Sequence, residues 1–273
     1  MTTSRNAQCP CGSGQRFKHC CGSPSSESRA ADLNEDIYDE NGNFLEKFRG
    51  VAMRRFCPEP PGALTMSKAV APPGIMVIEG FLGQQFCDDF CQYISEQDTR
   101  RLGVVDSDEF DRTGKVTYEH HAARITETID LKHRKTDMLR EVVRGYRDYA
   151  TRFFAADLDT IENPSVLKYT AGGRYDPHAD SEHWNLEEST WVRSLERDYS
   201  LLLYLNEGYE GGTLYFPNFK WRIKPRRGML VSFPSDHRYL HGAEPLTSGT
   251  RFAVASWAKA KISPIFDPYK THQ

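Results

Sequence analysis

The sequence lacks any long apolar run. Its longest, Leu201-Leu-Leu-Tyr-Leu205, falls far short of the roughly 20 apolar residues a membrane-spanning helix needs. The opening stretch, MTTSRNAQCPCG, has no apolar segment of the secretory type. Excess charge of one sign is missing too. With 35 Lys+Arg against 38 Asp+Glu the net charge is −3, which gives no global reason to expect nucleic acid. Cysteine is scarce, at 7 in 273 residues, and too unevenly placed for a disulfide-stapled secreted scaffold. Apolar material is not scarce: 38% hydrophobic residues, with 15 Phe, 13 Tyr and 4 Trp, suffice for a proper core and exclude wholesale disorder. The length suggests one full domain plus something small. A soluble, cytoplasmic protein is expected, with no membrane partner.

Four cysteines, Cys9, Cys11, Cys20 and Cys21, crowd into C-P-C-G-S-G-Q-R-F-K-H-C-C-G. Four thiolates on so short a segment can close a tetrahedral zinc site, and the metal would supply folding energy that no core of this size can. Paired disulfides or free thiols are the competing reading. The segment resembles the SEC-C zinc-binding motif, a partner-contacting module, over Cys9 to Gly22. The resemblance implies Cys9, Cys11, Cys20 and Cys21 as Zn(II) ligands; His19, which adjoins the last pair, could substitute for one of them. Cys87 and Cys91 sit four apart in Gln84-Gln-Phe-Cys-Asp-Asp-Phe-Cys91, where an amphipathic helix would place them on one face with Phe86 and Phe90. They read as small buried hydrophobes rather than a second metal site.

Four regions follow: a zinc-binding segment at 1–22, a linker and irregular extension at 23–72, a main domain at 73–262 and a tail at 263–273. Within the main domain the patterns predict a strand at Ile75–Glu79, a helix near 83–97, a long mobile connection over 104–123, a strand at Ala123–Ile129 and a helix near 136–154. Short strands then follow quickly: Ser165–Thr170, Tyr199–Asn206, Thr213–Pro217, Trp221–Lys224, Met229–Pro234 and Thr250–Ala258, separated by Gly- or Pro-rich turns. The expected fold is mainly β with flanking helices: a double-sheet jelly roll with helices packed outside.

The stretch Tyr169-Thr-Ala-Gly-Gly-Arg-Tyr-Asp-Pro-His-Ala-Asp180 carries the chemistry. On a strand, His178 and Asp180 project from one face. An imidazole and a carboxylate there are two thirds of a facial triad for non-haem Fe(II), with open positions left for substrate and oxygen. The third ligand is His237 or His241. Ten residues beyond His241, Arg251 opens the alternating strand Arg251–Trp257; a guanidinium inside a barrel needs a carboxylate and can grip one with two parallel hydrogen bonds. A basic anchor near iron suits a dicarboxylate that chelates the metal at its other end, whereas an outward ion pair is the plain alternative.

From about Pro73 to Ala258 the chain resembles the prolyl 4-hydroxylase branch of the Fe(II)- and 2-oxoglutarate-dependent dioxygenases. The matching residues are Tyr169 through Asp180, then Arg197-x-Tyr-Ser-Leu-Leu-Leu-Tyr-Leu-Asn206, Gly211-Gly-Thr-Leu-Tyr-Phe-Pro217, Gly228-x-Leu-x-x-Phe233 and His241-x-x-x-Pro-x-x-x-Gly-x-Arg251 through Trp257. The resemblance implies a double-stranded β-helix core. It implies His178, Asp180 and His241 as iron ligands, with no catalytic residue beyond them, and Arg251, Tyr204 and Tyr169 as residues that bind or line the 2-oxoglutarate site. It further implies Arg197 and Trp257 at the substrate, ascorbate as the agent that rescues the iron, and molecular oxygen as co-substrate. Asp180 separates the chain from halogenating relatives, which lack this carboxylate. The implied reaction is hydroxylation of an unactivated C–H bond coupled to decarboxylation of 2-oxoglutarate to succinate.

A prolyl residue of a protein or peptide is the first substrate candidate. A free amino acid or small metabolite is the second, for which Arg197 or Arg124 could supply a further carboxylate-binding cation. A catalytically silent interaction protein is the third. Two segments, 104–123 and Ser181–Arg193, are candidate lids or else plain surface loops. The basic run Lys220-Trp-Arg-Ile-Lys-Pro-Arg-Arg227 reads as solvated strand ends, so nucleic acid is not expected. The sequence leaves the oligomeric state open.

Overall fold

The computed structural model describes residues 71–264, together with Asn6 and Arg16. The cysteine motif, with Cys9, Cys11, His19, Cys20 and Cys21, lies outside the described residues, as does nearly all of the 23–72 extension. Among the described residues, no helix is long and apolar enough to cross a membrane.

Among the described residues, two large antiparallel sheets dominate the domain, beside three two-stranded ones. The larger has eight strands, in the order Met76–Ile78, Leu230–Pro234, Tyr199–Tyr204, Arg251–Ala260, Ser165–Tyr169, Glu127–Ile129 and Thr99–Arg101, with Leu158–Ile161 pairing farther along Arg251–Ala260. The smaller has five, Trp221–Ile223, Leu214–Phe216, His241–Ala243, Arg174–His178 and Arg124–Ile125. One core lies between the sheets, built on Leu167, Tyr204, Leu214, Phe216, Phe233 and Leu246. A second lies between the larger sheet and the helices, built on Phe90, Met138, Val142, Tyr146, Leu201 and Leu203. Tyr199–Tyr204 faces both cores, and its burial is correspondingly near-continuous rather than alternating. This is the jelly roll with outer helices that the patterns predict.

Helix α1, Gln84–Ser95, buries Cys87, Phe90 and Ile94. Cys87 and Cys91 are free, and burial pushes their thiols up to about 11 and about 12, so they are inert packing groups here. Helix α2, Ser107–Thr113, is one short turn-bounded element described below. Helix α3, Lys135–Gly145, runs through a π-helical turn, Tyr146–Ala150, into Thr151–Phe154. At Gly145 a Cβ would come within 2.9 Å of both Leu201 Cδ1 and Leu230 Cδ1, so the missing side chain lets the helix settle onto the sheet. The buried Tyr146 hydroxyl then reaches the carbonyls of Tyr199 and Ser256 at 3.1 and 2.9 Å.

Two expectations need correcting. Residues 104–123, expected as one long mobile connection, hold regular elements: Val104–Val105 pairs with Tyr118–Glu119 around α2, whose N-cap Asp106 accepts from the Glu109 amide. The short strands fell below the length at which periodicity shows. The single strand read at Ala123–Ile129 is two, because Arg124–Ile125 joins the small sheet and Glu127–Ile129 the large one.

Candidate active site

His178 closes the strand Arg174–His178, and Asp180 follows just beyond its end. The amides of Asp180 and Ser181 both donate to the Ser235 carbonyl, at 2.9 and 3.0 Å, which turns the chain and presents the Asp180 carboxylate inward. His241 opens the neighbouring strand and lies directly opposite His178 in register. The three side chains therefore converge, with one ligand atom from each lying within 4.8 Å of the others. His178 Nε2 is 3.6 Å from Asp180 Oδ1, and His241 Nε2 is 3.5 Å from Oδ2.

Hydrogen bonding fixes both imidazoles. Nδ1 of His178 lies 2.9 Å from the Asp176 carbonyl, and Nδ1 of His241 lies 3.2 Å from that of Tyr239. A carbonyl only accepts, so each Nδ1 donates, and this orients each ring with Nε2 toward the carboxylate. Burial pushes His241 down to about 4, against the pull of Asp180. Burial alone would lift Asp180, but His241, His178 and the Ser200 hydroxyl more than reverse this and hold its carboxyl well below the usual range. Two imidazoles held by their Nδ1 atoms and one carboxylate, with Nε2 and the carboxylate oxygens turned toward one another, suit a divalent ion such as Fe(II).

Arg251 is 2% exposed. NH1 donates to the Gly212 carbonyl, the guanidinium lies 4.1 Å from the Tyr169 ring centroid and 6.0 Å from that of Tyr204, and Nε is buried with no acceptor. Gly212 sits at φ +64°, where a Cβ would come 2.6 Å from Leu246 Cδ1 and 3.1 Å from Arg251 NH1. Among the described residues no carboxylate pairs with Arg251. A buried charge without a counterion is costly, and an anionic ligand would relieve it. The residues thus fit both groups implied by the resemblance: iron on His178, Asp180 and His241, and the distal carboxylate of 2-oxoglutarate on Arg251.

His237 is elsewhere: Nδ1 lies 2.7 Å from Glu182 Oε2, and its ring stacks on Trp191 at 5.1 Å. Arg197 lies over Trp257 at 3.6 Å, grips Glu162 with two bonds of 2.6 and 2.8 Å, and reaches the Asp180 carbonyl at 3.4 Å. The two candidate lid segments meet. His183 Nε2 is 2.7 Å from Asp111 Oδ1 of α2, and its ring packs edge-on against Phe110 at 5.5 Å. The Ser181–Arg193 segment is itself a hairpin, Glu182–Asn185 with Thr190–Arg193.

Sequence reasoning missed two residues of the site. Tyr175 stacks on His178 with centroids 3.5 Å apart, and its phenol is pushed up to about 12 by burial. On a regular strand a residue three before His178 would face the other way; the register shift against His241–Ala243 accompanies the stack, so the position of Tyr175 gave no signal. Ser200 donates to Asp180 Oδ2 at 2.6 Å and lies 2.8 Å from Ser235 Oγ. It is the single serine in the run Tyr199–Tyr204, otherwise leucine and tyrosine, and a small polar residue in such a run is a sign of a buried polar task.

Residues 164–259 match the family model described as the 2OG-Fe(II) oxygenase superfamily, and residues 5–23 match the SEC-C motif. Human prolyl 3-hydroxylase 2 is 42% identical over 66 residues, 22% of this chain and 9% of that protein. The probable prolyl 4-hydroxylase 7 of Arabidopsis thaliana is 23% identical over 214 residues, 69% of this chain and 63% of that one. The chain therefore spans less than two thirds of the length of these relatives. Among solved structures, a prolyl-4-hydroxylase from Pseudomonas putida superposes with a TM-score of 0.49 at 19% identity, covering 69% of this chain and 94% of that one.

Proposed function

We propose, from the premise that this chain carries a prolyl 4-hydroxylase-like 2OG-Fe(II) oxygenase domain together with a SEC-C motif, that it hydroxylates a prolyl residue of a protein or peptide. The observation that carries the enzyme reading is the pairing of a convergent His178, Asp180 and His241 with a buried, counterion-free Arg251 in the core between the same two sheets. When bound, iron and 2-oxoglutarate supply the oxidising power drawn from molecular oxygen, one oxygen atom going to the substrate C–H and the other to succinate, with loss of carbon dioxide. The residues do the rest. His178 and His241 present Nε2, while Ser200 aims the Asp180 carboxylate. Arg251 takes the far carboxylate of the co-substrate beside Tyr169 and Tyr204. Tyr175 walls the His178 side. Helix α2 and the hairpin Glu182–Arg193, clasped through Asp111 and His183, are read as the lid.

The prolyl substrate rests on the names of the relatives, which are prolyl hydroxylases. Ascorbate is expected to sustain turnover. The SEC-C segment is read as a zinc site on Cys9, Cys11, Cys20 and Cys21 that docks a partner, and a reducing cytoplasm suits four thiolates.

The test is succinate release from 2-oxoglutarate with Fe(II) and ascorbate, in air and under argon, for the wild type and His178→Ala. Proline-containing peptides in the same reactions are examined for a gain of one oxygen on a prolyl residue. Oxygen-dependent succinate lost in the variant, with oxidised proline in the wild type, is the expected result. Oxidation at another residue would move the substrate assignment, and no turnover together with no 2-oxoglutarate binding would overturn the enzyme reading.

A further inference from the structure

The buried and half-buried arginines among the described residues fall into two groups. Most face a carboxylate: Arg197 grips Glu162 at 2.6 Å, Arg193 reaches Asp198 at 3.1 Å, Arg238 Asp236 at 2.6 Å and Arg144 Glu141 at 2.6 Å. Among the described residues, two have no such partner. One is Arg251, whose want of a counterion the proposed co-substrate would meet. The other is Arg124.

Arg124 sits opposite Tyr175 in register on the small sheet. Its guanidinium lies 4.5 Å from the Tyr175 ring centroid, and Tyr175 in turn stacks on His178 at 3.5 Å with planes 19° apart. The cation is therefore two ring contacts away from a proposed metal ligand. Of its five N–H donors, the only acceptor found among the described residues is the Gly103 carbonyl, 3.1 Å from NH1; Nε is shut off from solvent with no partner. The Tyr175 face and the Gly103 bond fix the fork in place before any ligand arrives, so little freedom is lost when it binds. Arg251 stands on the other sheet, against Tyr169, so the two unmatched cations approach the site from different walls. Arg197, the other cation near the site, already has its fork on Glu162.

We infer that Arg124 anchors a second carboxylate subsite, separate from that of 2-oxoglutarate, which takes a carboxylate carried by the substrate close to the carbon that is oxidised. The inference rests on the dioxygenase reading above and adds a specificity-determining residue to it. The carboxylate has two possible sources: the α-carboxylate of a free amino acid, or an acidic side chain beside the target residue of a peptide. The chemistry at Arg124 is the same for both. A charge-assisted hydrogen bond away from bulk water is worth enough to prefer a carboxylate over its carboxamide by about tenfold or more.

The experiment is calorimetry on the full chain, loaded with Fe(II) and saturating 2-oxoglutarate under argon. The probes are L-proline and L-prolinamide, L-leucine and L-leucinamide, and a proline-containing peptide with Glu or with Gln on either side of the proline. In the wild type at least one carboxylate form is expected to bind about tenfold more tightly than its amide partner. That preference should vanish in Arg124→Gln and in Arg124→Met, which keeps the apolar stem. Preference among the free amino acids identifies an α-carboxylate, and preference confined to the peptides identifies an acidic neighbour. A wild type with no carboxylate preference anywhere in the set overturns the inference without recourse to any variant, and so does a preference that survives Arg124→Gln. Binding of 2-oxoglutarate itself is read first. A wild type that takes none overturns the dioxygenase reading, whereas one that takes it and ignores carboxylates overturns only the role of Arg124.

Discussion

Asp180 shows how much of the site depends on single atoms. Its carboxylate sits between two imidazoles, and the hydroxyl of Ser200 holds one oxygen at 2.6 Å. Each serine hydroxyl has one proton. Ser200 spends its own on Asp180, so the 2.8 Å contact with Ser235 must be donated by Ser235. Ser200 is fully buried and acts as a positioning residue. Ser200→Ala is expected to weaken Fe(II) or Co(II) binding by roughly 10–100-fold, the usual cost of losing an outer partner of a metal ligand. Ser200→Thr, which keeps the hydroxyl, should recover most of it. Metal titration followed by visible absorption of Co(II) reads both, and an unchanged affinity in Ser200→Ala would remove Ser200 from the site.

At the scale of elements, the chemistry hangs on how strands end and what clasps them. The turn Asp236–Tyr239 delivers His241, and buried Asp236 ties it by accepting from the Arg238 amide and pairing with the Arg238 guanidinium at 2.6 Å. Burial would raise the Asp236 carboxyl, but Arg238 and His237 more than offset it and leave it depressed. A depressed carboxylate contributes stability that is fully present above its ordinary value of 3.8 and is lost as the pH falls through its lower folded value. Urea unfolding between pH 7 and pH 3 should therefore show a fall on the acid side that is shallower in Asp236→Asn. An equally steep fall would discount this pair. The lid makes a separate prediction. His183→Ala cuts its bond to Asp111 and its contact with Phe110, so limited proteolysis within 104–119 should speed up several-fold while cleavage elsewhere does not. These elements also mark where pattern reading stops. Tyr199–Tyr204 and Arg251–Ala260 are long and apolar enough to be read directly. Val104–Val105, Tyr118–Glu119 and His241–Ala243 are two or three residues long, and only tertiary pairing defines them.

Across the whole molecule, three layers divide the work: outer helices brace the large sheet, and the two sheets enclose the site. Much of this was legible because the proposed iron-site motif His178-x-Asp180 and the spacing from His241 to Arg251 are local in sequence. The lid-segment clasp, the Ser200 bond and the Arg124–Tyr175 contact join residues far apart in the chain, and the Tyr175–His178 stack goes with a register shift in the strand pair, so no local pattern encodes them. The N-terminal motif is judged by its own chemistry: metal analysis of the full chain should find one zinc per chain, lost in Cys20→Ser. Zinc unchanged in that variant would contradict the ligand set.

The central claim is that buried Arg251 awaits the dicarboxylate that completes the His178, Asp180 and His241 centre. The most direct measurement is calorimetric binding of 2-oxoglutarate to the Fe(II)-loaded protein under argon, for the wild type and Arg251→Gln. The account predicts saturable binding by the wild type that weakens by about tenfold or more in the variant. No binding by the wild type, or equal binding by both, would contradict it.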